Sequence, residues 1–408
     1  MMGDILFLAH RVPFPPDRGD RIRSFHILKK LAELAPVHVA TLAENDADMA
    51  AAGALGEWTA TSHVVRRNIS RPAAGLKALA SGKPVLLPYF DSAELRHWVA
   101  RTLDERPIDT VVAFSVQMAQ FVPKLPAGVR FVMDFADVDS AKFAAYARTG
   151  PGPMRWVNAR EARKLAGFER ATAARADASL FVSEPEAALF RETVAPADAR
   201  VEAIENGIDW RFFDPAADFP RVEGTGEGRL IVFTGQMDYR PNIEAVTHFV
   251  RDILPQIRAA HPDARFAIVG RAPTSEVERL ARDPAVTVTG AVADIRGWLA
   301  AADLVVAPLL AARGIQNKVL EAMAMAKPVI ASRPAFEGID AEPDTHLLVA
   351  EDADDFAGQA SRLLAAPDEA EALGTAARAH VRRRYDWATT LVPLAALTGR
   401  AQSRSAAA

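Results

Sequence analysis

The chain of 408 residues contains no cysteine. Disulfides, thiolate nucleophiles and cysteine-held metals are therefore excluded. Long apolar runs are missing as well. No stretch reaches the roughly 18 to 20 apolar residues that a membrane-spanning helix needs. The first apolar run, Ile5–Ala9, is shorter than the roughly 7 to 15 residues of a signal-peptide core and reads instead as a first strand. A cytoplasmic protein is expected, one still able to lie against a membrane. Positive charge is not in excess either. Lys and Arg number 48 against 52 Asp and Glu, for a net charge of −4, which speaks against a nucleic-acid partner. The nine histidines show no metal-ligand spacing, and His10 and His26 are expected to be structural. The tripeptide Asp137-Val138-Asp139 is of the kind that holds a divalent ion on a diphosphate, but it lies in the first half, far from the motif described below. No metal and no cofactor are expected.

What is present is an alternation of short apolar runs with helical patterns. Strands are expected at Ile5–Ala9, Val37–Leu42, Thr110–Phe114, Arg130–Phe135 and Ala178–Ser183. The rhythm restarts at Leu230–Thr234, then Arg265–Val269, Val286–Thr289, Leu304–Ala307 and Pro328–Ser332. Helices are expected between them, among them Ser24–Leu34, Arg155–Ala176, Ile243–Ala260 and Asn317–Ala326. Such alternation predicts an α/β fold of parallel sheets covered by helices on both faces. Between the two series, 214–228 holds Pro215, Pro220, Gly224, Gly226 and Gly228, a density that predicts a linker. The expected layout is a first domain over 1–213, a linker over 214–228 and a second domain over 229–380. A helix over 381–397 crosses back, and a disordered tail covers 398–408. Two doubly wound domains facing a central cleft would carry ligands beyond the carboxyl ends of their strands.

The most informative stretch runs from Gly314 through Ile315, Gln316, Asn317, Lys318, Val319, Leu320 and Glu321 to Ala322-Met323-Ala324. It reads as loop, helix and then buried strand. Gly314 permits close backbone approach. The free N–H groups that open the helix suit an anion. Lys318 adds a point charge for a phosphate, and Glu321, one turn on, can accept hydrogen bonds from two vicinal hydroxyls such as those of a ribose.

This stretch resembles the donor motif of glycosyltransferase family four, the group 1 glycosyl transferases of the GT-B type. The resemblance implies two Rossmann-like domains and a retaining transfer from a nucleotide-diphospho-sugar, UDP- or GDP-linked, to a saccharide or polyprenyl-linked acceptor. It also implies that Glu321 holds the donor ribose. A second glutamate, usual eight residues earlier in that family, is replaced here by Arg313. Val232-Phe233-Thr234-Gly235 resembles the family's first C-terminal strand, with Arg240 as the nearby cation, and Gly270 and Gly290 match strand ends near the nucleotide. In the first half, Pro13 to Arg21 resembles the loop that faces diphosphate and acceptor. Gly19 stands where the family often has two glycines, and Asp17, Arg18, Asp20 and Arg21 are the acceptor-side candidates. The wording of both motifs is similar to a subgroup tied to exopolysaccharide and exosortase systems. No catalytic base is identified, and retaining members are thought to let the donor phosphate assist the acceptor. A nucleotide-sugar 2-epimerase or a non-catalytic nucleotide-sugar-binding subunit would share the fold.

One more absence is local. Trp58 to Phe90 has no Asp or Glu, while Arg66, Arg67, Arg71, Lys77 and Lys83 are basic and Leu76, Leu79 and Val85–Phe90 add apolar surface. Such a stretch suits peripheral contact with an anionic membrane.

Overall fold

The computed structural model describes residues 3–16, 18–149, 152–220, 222, 228–312 and 314–400. Among them two compact units are found, one within 3–205 together with 391–400, the other within Asn206–Thr390.

The first unit is built on β1 (Asp4–Ala9), β2 (Val37–Ala43), β3 (Thr61–Arg66), β4 (Ile108–Phe114), β5 (Arg130–Ala136), β6 (Ala178–Phe181) and β7 (Val201–Ala203). They form one sheet in the order β3-β2-β1-β4-β5-β6-β7, every pairing parallel. β1 and β4 are neighbours although β2 and β3 intervene in the chain. The winding direction therefore reverses between β1 and β4. Strands covered by helices on both faces read as continuous apolar runs, and β1 and β2 do so: Ile5–Ala9 and all of β2 are buried.

The second unit repeats the scheme with β8 (Leu230–Thr234), β9 (Arg265–Val269), β10 (Val286–Gly290), β11 (Leu304–Ala307), β12 (Val329–Ser332) and β13 (Leu348–Ala350). The order is β10-β9-β8-β11-β12-β13, again all parallel, with the reversal between β8 and β11. Its core joins both sides of the sheet, from Phe233, Phe249 and Phe266 to Leu320, Met323 and Tyr385.

The α/β class and the two doubly wound parallel sheets agree with the alternation in the sequence. Boundaries differ. The second unit begins at Asn206, because Ile208 and Phe213 already pack into its core, and a Cβ on Gly207 would meet the Trp387 ring at 2.8 Å. The expected crossing helix 381–397 is three pieces. Pro367–Arg384 and Trp387–Thr390 stay with the second unit, and Pro393–Leu397 packs on helix Gly19–Leu34 of the first. Residues 398–400 are not a loose tail. Thr398 and Arg400 are buried, and the Arg400 guanidinium bonds Asp109 at 2.5 Å and the Gly3 carbonyl at 2.8 Å. Residues 401–408 lie outside the described residues. The helix expected over Ile243–Ala260 contains a wider turn at Phe249–Ile253, just ahead of Pro255, whose ring nitrogen has no N–H to donate.

Candidate functional site

In the second unit the carboxyl ends of β8 and β11 flank the point where the winding reverses, the crevice in which open α/β sheets bind ligands. Gly235 follows β8. A Cβ on it would lie 2.7 Å from Asn242 Nδ2 and 3.3 Å from Lys318 Nζ. Gly270, after β9, has φ +152°, and a Cβ there would come within 1.7 Å of the Gly235 carbonyl oxygen. The turns after β8 and β9 thus meet backbone to backbone, which only glycine allows. Gly290 closes β10 with φ +67° and faces open space.

The loop after β11 turns through Gly314, φ +64°, and enters helix Asn317–Ala324. That helix buries Val319, Leu320, Ala322, Met323 and Ala324, so its opposite face and its start are held in place by the core. Ile315 packs against the same core at half burial. Gln316 at the cap position makes no side-chain cap and donates its amide to the Gly314 carbonyl at 3.2 Å. Of the first-turn N–H groups, that of Val319 donates to the Gln316 carbonyl at 3.0 Å, which leaves those of Asn317 and Lys318 for a ligand or water. The Oδ1 of Asn317, the first helical residue, is buried without a hydrogen-bond partner.

Lys318 and Glu321 sit one turn apart on the uncovered face, each half-buried. Lys318 Nζ donates to Asn242 Oδ1 at 2.5 Å and lies 4.2 Å from the centre of the Phe233 ring. Asn242 is itself oriented by donating Nδ2 to the Gln236 carbonyl at 2.9 Å. Burial pushes the Lys318 ammonium down to about 7, with Glu321 opposing the shift. Burial pushes the Glu321 carboxyl up to about 7, with Lys318 opposing. Each group therefore gains its full charge when a ligand supplies what burial took away: an anion for Lys318, hydroxyl donors for Glu321. Perturbed groups in a crevice, with specific partners, mark a functional-site candidate.

Residues 228–366 match the family of glycosyl transferases group 1. The segment contains the donor-side residues named from the sequence from Gly235 to Glu321, with Gly19 alone of that set outside it, and the resemblance seen in the motif holds over it. Among curated proteins, the chain is 34% identical over 192 residues to the phosphatidyl-myo-inositol mannosyltransferase of Mycolicibacterium smegmatis, covering 45% of this chain and 48% of that protein. It is 32% identical over 206 residues to a GDP-mannose-dependent monoacylated alpha-(1-6)-phosphatidylinositol monomannoside mannosyltransferase of Corynebacterium glutamicum, covering 46% of this chain and 52% of that protein. The chain thus spans about half the length of the curated relatives it matches. Among solved structures, sucrose-phosphate synthase from Thermosynechococcus elongatus aligns with a TM-score of 0.66 at 18% identity, covering 98% of each chain. Anabaena HepE in complex with UDP and glucose aligns with a TM-score of 0.66 at 16% identity, covering 97% of this chain and 99% of that one. At such identities the likeness concerns the fold, which is that of GT-B glycosyltransferases.

The remaining candidates fall into distinct settings. Within the group 1 segment, Arg240 is exposed and its guanidinium pairs with Glu244 at 2.7 Å and Glu276 at 3.4 Å, both on the surface. Asn242 and Phe233 flank the Lys318 ammonium, contacts that the strand motif containing Phe233 does not reveal. The only signal for Asn242 was a polar residue on the buried face of an amphipathic helix, where the structure places it. Arg313 and Asp17 lie outside the described residues.

The acceptor-side residues, and Gly19 of the donor-side set, belong to the first unit, outside the group 1 segment. Gly19 opens helix Gly19–Leu34 with open space around it. Asp20 accepts from Arg11 and, at 2.9 Å, from Arg18 Nε, and it lies 3.2 Å from His10 Nε2. Burial would raise its carboxyl, but the His10 hydrogen bond and the cations Arg11 and Arg18 outweigh burial and hold it far below the usual range. Arg21 points the other way. It is buried and bonds Asp48 at 2.5 Å, and Arg23 is likewise buried against Asp134 at 2.8 Å.

The carboxylate tripeptides find structural uses. Besides Asp137-Val138-Asp139 the chain has Asp46-Ala47-Asp48 and Asp352-Ala353-Asp354. Asp48 binds Arg21 and the Glu44 N–H, and Asp352 caps a helix through the Asp355 N–H. Asp139, pushed up to about 6 mainly by burial, opens helix Asp139–Thr149 in the first unit.

Proposed function

We propose that this protein is a retaining glycosyltransferase that moves a sugar from a UDP- or GDP-linked nucleotide-diphospho-sugar to a saccharide or lipid-linked acceptor in the synthesis of a cell-surface glycan. The reading rests on one observation. The matched segment places an uncapped helix start, Lys318 and Glu321 around glycine-only backbone at the winding reversal of the second sheet. The helix amides and Lys318 would carry the diphosphate, and Glu321 would accept from the ribose hydroxyls. In the transfer, the bond from the anomeric carbon to the diphosphate oxygen breaks and the acceptor oxygen bonds that carbon on the same face. The acceptor proton passes to the departing phosphate. Positive charge aimed at that leaving group lowers the barrier without a metal ion.

Names of relatives support the donor and acceptor classes. Two curated relatives are mannosyltransferases of phosphatidylinositol glycolipids, one of them GDP-mannose-dependent, and HepE was crystallised with UDP and glucose. A peripheral membrane contact fits this reading, though not on the whole basic stretch read from the sequence. Leu87 and Phe90 belong to the first core, and Arg66 and Arg67 pair with Asp46 and Glu44. What stays open is helix Arg71–Ser81, with Leu76 71% and Leu79 66% exposed. Arg160 of helix Gly152–Ala173 joins that helix by donating to the Ala78 carbonyl at 3.0 Å, and Trp156 on the same long helix is 74% exposed.

A thermal-shift panel of UDP-, GDP- and ADP-sugars followed by product analysis tests the proposal. Stabilisation by one nucleotide class and sugar transfer with an α-configured product from an α-configured donor are expected. A donor altered at the sugar without any acceptor would establish an isomerase instead. Saturable binding with neither transfer nor donor hydrolysis would leave a binding subunit.

A further inference from the structure

The first unit carries a second polar cluster, at the carboxyl edge of its sheet. Arg11 follows β1 by two residues, Glu44 follows β2 directly, and Arg67 follows β3 directly. Three adjacent strands therefore deliver charged side chains to one edge, beside the winding reversal at β1 and β4, and helix Gly19–Leu34 adds Arg18 and Asp20. Glu44 faces all three arginines, with Arg11 at 3.0 Å, Arg67 at 3.1 Å and Arg18 at 3.7 Å. Asp20 takes Arg11 and Arg18. Three guanidinium groups thus meet two carboxylates, and one positive charge is in excess.

The excess also shows in the hydrogen bonds. Arg11 Nε and Arg67 Nη1 are buried donors without a partner. Each guanidinium offers five N–H groups in a planar fork, more than two carboxylates can accept. Arg67 is fixed by stacking over Tyr89, 4.1 Å from the ring centre, and over Phe90 at 5.1 Å, so it is oriented rather than free to reach solvent. His10 lies between Phe90 and Phe114, is almost wholly buried, and leaves Nδ1 without a partner. Preset forks with unmet donors and surplus positive charge at a ligand edge suit a compact tetrahedral anion.

We infer that Arg11, Arg18 and Arg67 form a phosphate-ester site that takes the phosphate carried by the acceptor. The inference rests on the glycosyl-transfer reading, since it names the acceptor's chemical class. Lys318 and the uncapped helix of the second unit already provide for a donor diphosphate, so a separate cationic edge in the first unit is assigned to a different phosphate. Glu44 and Asp20 hold the forks in place and set the affinity by partial neutralisation.

The test is titration of the full chain at fixed ionic strength with glycerol 1-phosphate, inorganic phosphate, UDP and GDP, with glycerol as the uncharged control. Saturable binding of glycerol 1-phosphate is expected, with none for glycerol. Arg67→Gln and Arg11→Gln should each weaken it by about 10-fold or more, the range for a hydrogen bond to a charged group. Their nucleotide affinity should stay within about twofold of the wild type. Glu44→Gln should tighten glycerol 1-phosphate binding several-fold, a gain that a misfolded variant cannot produce. Glu321→Ala should leave glycerol 1-phosphate binding unchanged, which separates this site from the proposed donor site. Binding of inorganic phosphate with no binding of the ester would overturn the acceptor assignment, as would equal losses for nucleotide and ester. Absence of any saturable binding, or no gain with Glu44→Gln, would overturn the site itself.

Discussion

Replacing Lys318 by methionine should make the protein more stable and its nucleotide binding worse. The side chain is pushed from 10.5 down to about 7 chiefly by burial. At 1.36 kcal/mol per unit that shift amounts to about 5 kcal/mol of charge desolvation if water is fully excluded. The residue as a whole keeps partial contact with solvent, so the real cost is smaller. Against it stands the hydrogen bond to Asn242 at 2.5 Å, about 1.5–3 kcal/mol for a charged donor. Methionine keeps the apolar contact with Phe233 and removes the charge. A net gain of about 1–2 kcal/mol follows, a rise of roughly 3–6 °C in the melting of a unit this size. The sign depends on pH. A lysine whose folded value is depressed costs stability wherever the unfolded chain would be protonated, so the gain is largest near and below pH 7 and vanishes above about pH 10.5. Nucleotide-diphosphate affinity should fall by about 10- to 100-fold as a charge-assisted contact is lost. Calorimetric melting with and without UDP or GDP decides the matter. A variant less stable at pH 7 with unchanged nucleotide affinity would refute both the burial argument and the role of Lys318.

Four further outcomes are expected. Between pH 7.5 and 9.5 the wild type should lose nucleotide affinity and take up a proton on binding, because the free Lys318 is then neutral and Glu321 already ionised; calorimetry in two buffers of different ionisation enthalpy reads this, and Lys318→Arg should flatten it. Glu321→Ala should weaken nucleotide binding by about 1.5–3 kcal/mol, and an unchanged affinity in the folded variant removes Glu321 from the site. Gly270→Ala forces a Cβ to 1.7 Å from the Gly235 carbonyl and should cost about 3 kcal/mol or more in denaturant unfolding. Activity should persist in excess EDTA, and rescue of a lost activity by magnesium or manganese would replace the proposed mechanism with a metal-assisted one.

Much of the fold was legible because fully buried parallel strands announce themselves as apolar runs. β1, β2, β8 and β9 are such runs, and their positions follow from the sequence within a residue or two. The strands that escaped were β3, β7 and β13, all at sheet edges. β3 carries Thr61, Ser62 and His63 and is only partly buried, and β7 and β13 have three residues each. An edge strand pairs on one side alone, so its sequence is under weaker apolar demand. The unit boundary was misplaced for a related reason. Proline and glycine mark where the chain can bend, whereas burial decides which core a residue joins, and Ile208 and Phe213 joined the second core ahead of the bend.

The site was legible in proportion to how local its geometry is. Gly314 to Glu321 lie within one loop and one helical turn, so periodicity alone places Lys318 and Glu321 on one face. Nothing local reveals that Asn242, on the helix after β8, receives the Lys318 ammonium, or that Phe233 lies beneath it. The arginines show the same divide. Arg18, Arg21 and Arg23 look equivalent in sequence, all basic and within one loop and turn. The helix geometry sends Arg21 and Arg23 into buried pairs with Asp48 and Asp134 and leaves Arg18 at the sheet edge. Arg11 and Arg67 reach that edge from the ends of two strands that share no sequence neighbourhood. A charge cluster assembled from strand ends is thus invisible to any reading by spacing. It follows from one topological fact, that β1, β2 and β3 are parallel neighbours ending at the same edge. In a doubly wound sheet the residues just beyond each strand are therefore best compared across strands rather than along the chain. Applied to β1, β2 and β3, that comparison brings Arg11, Glu44 and Arg67 together from the sheet order alone.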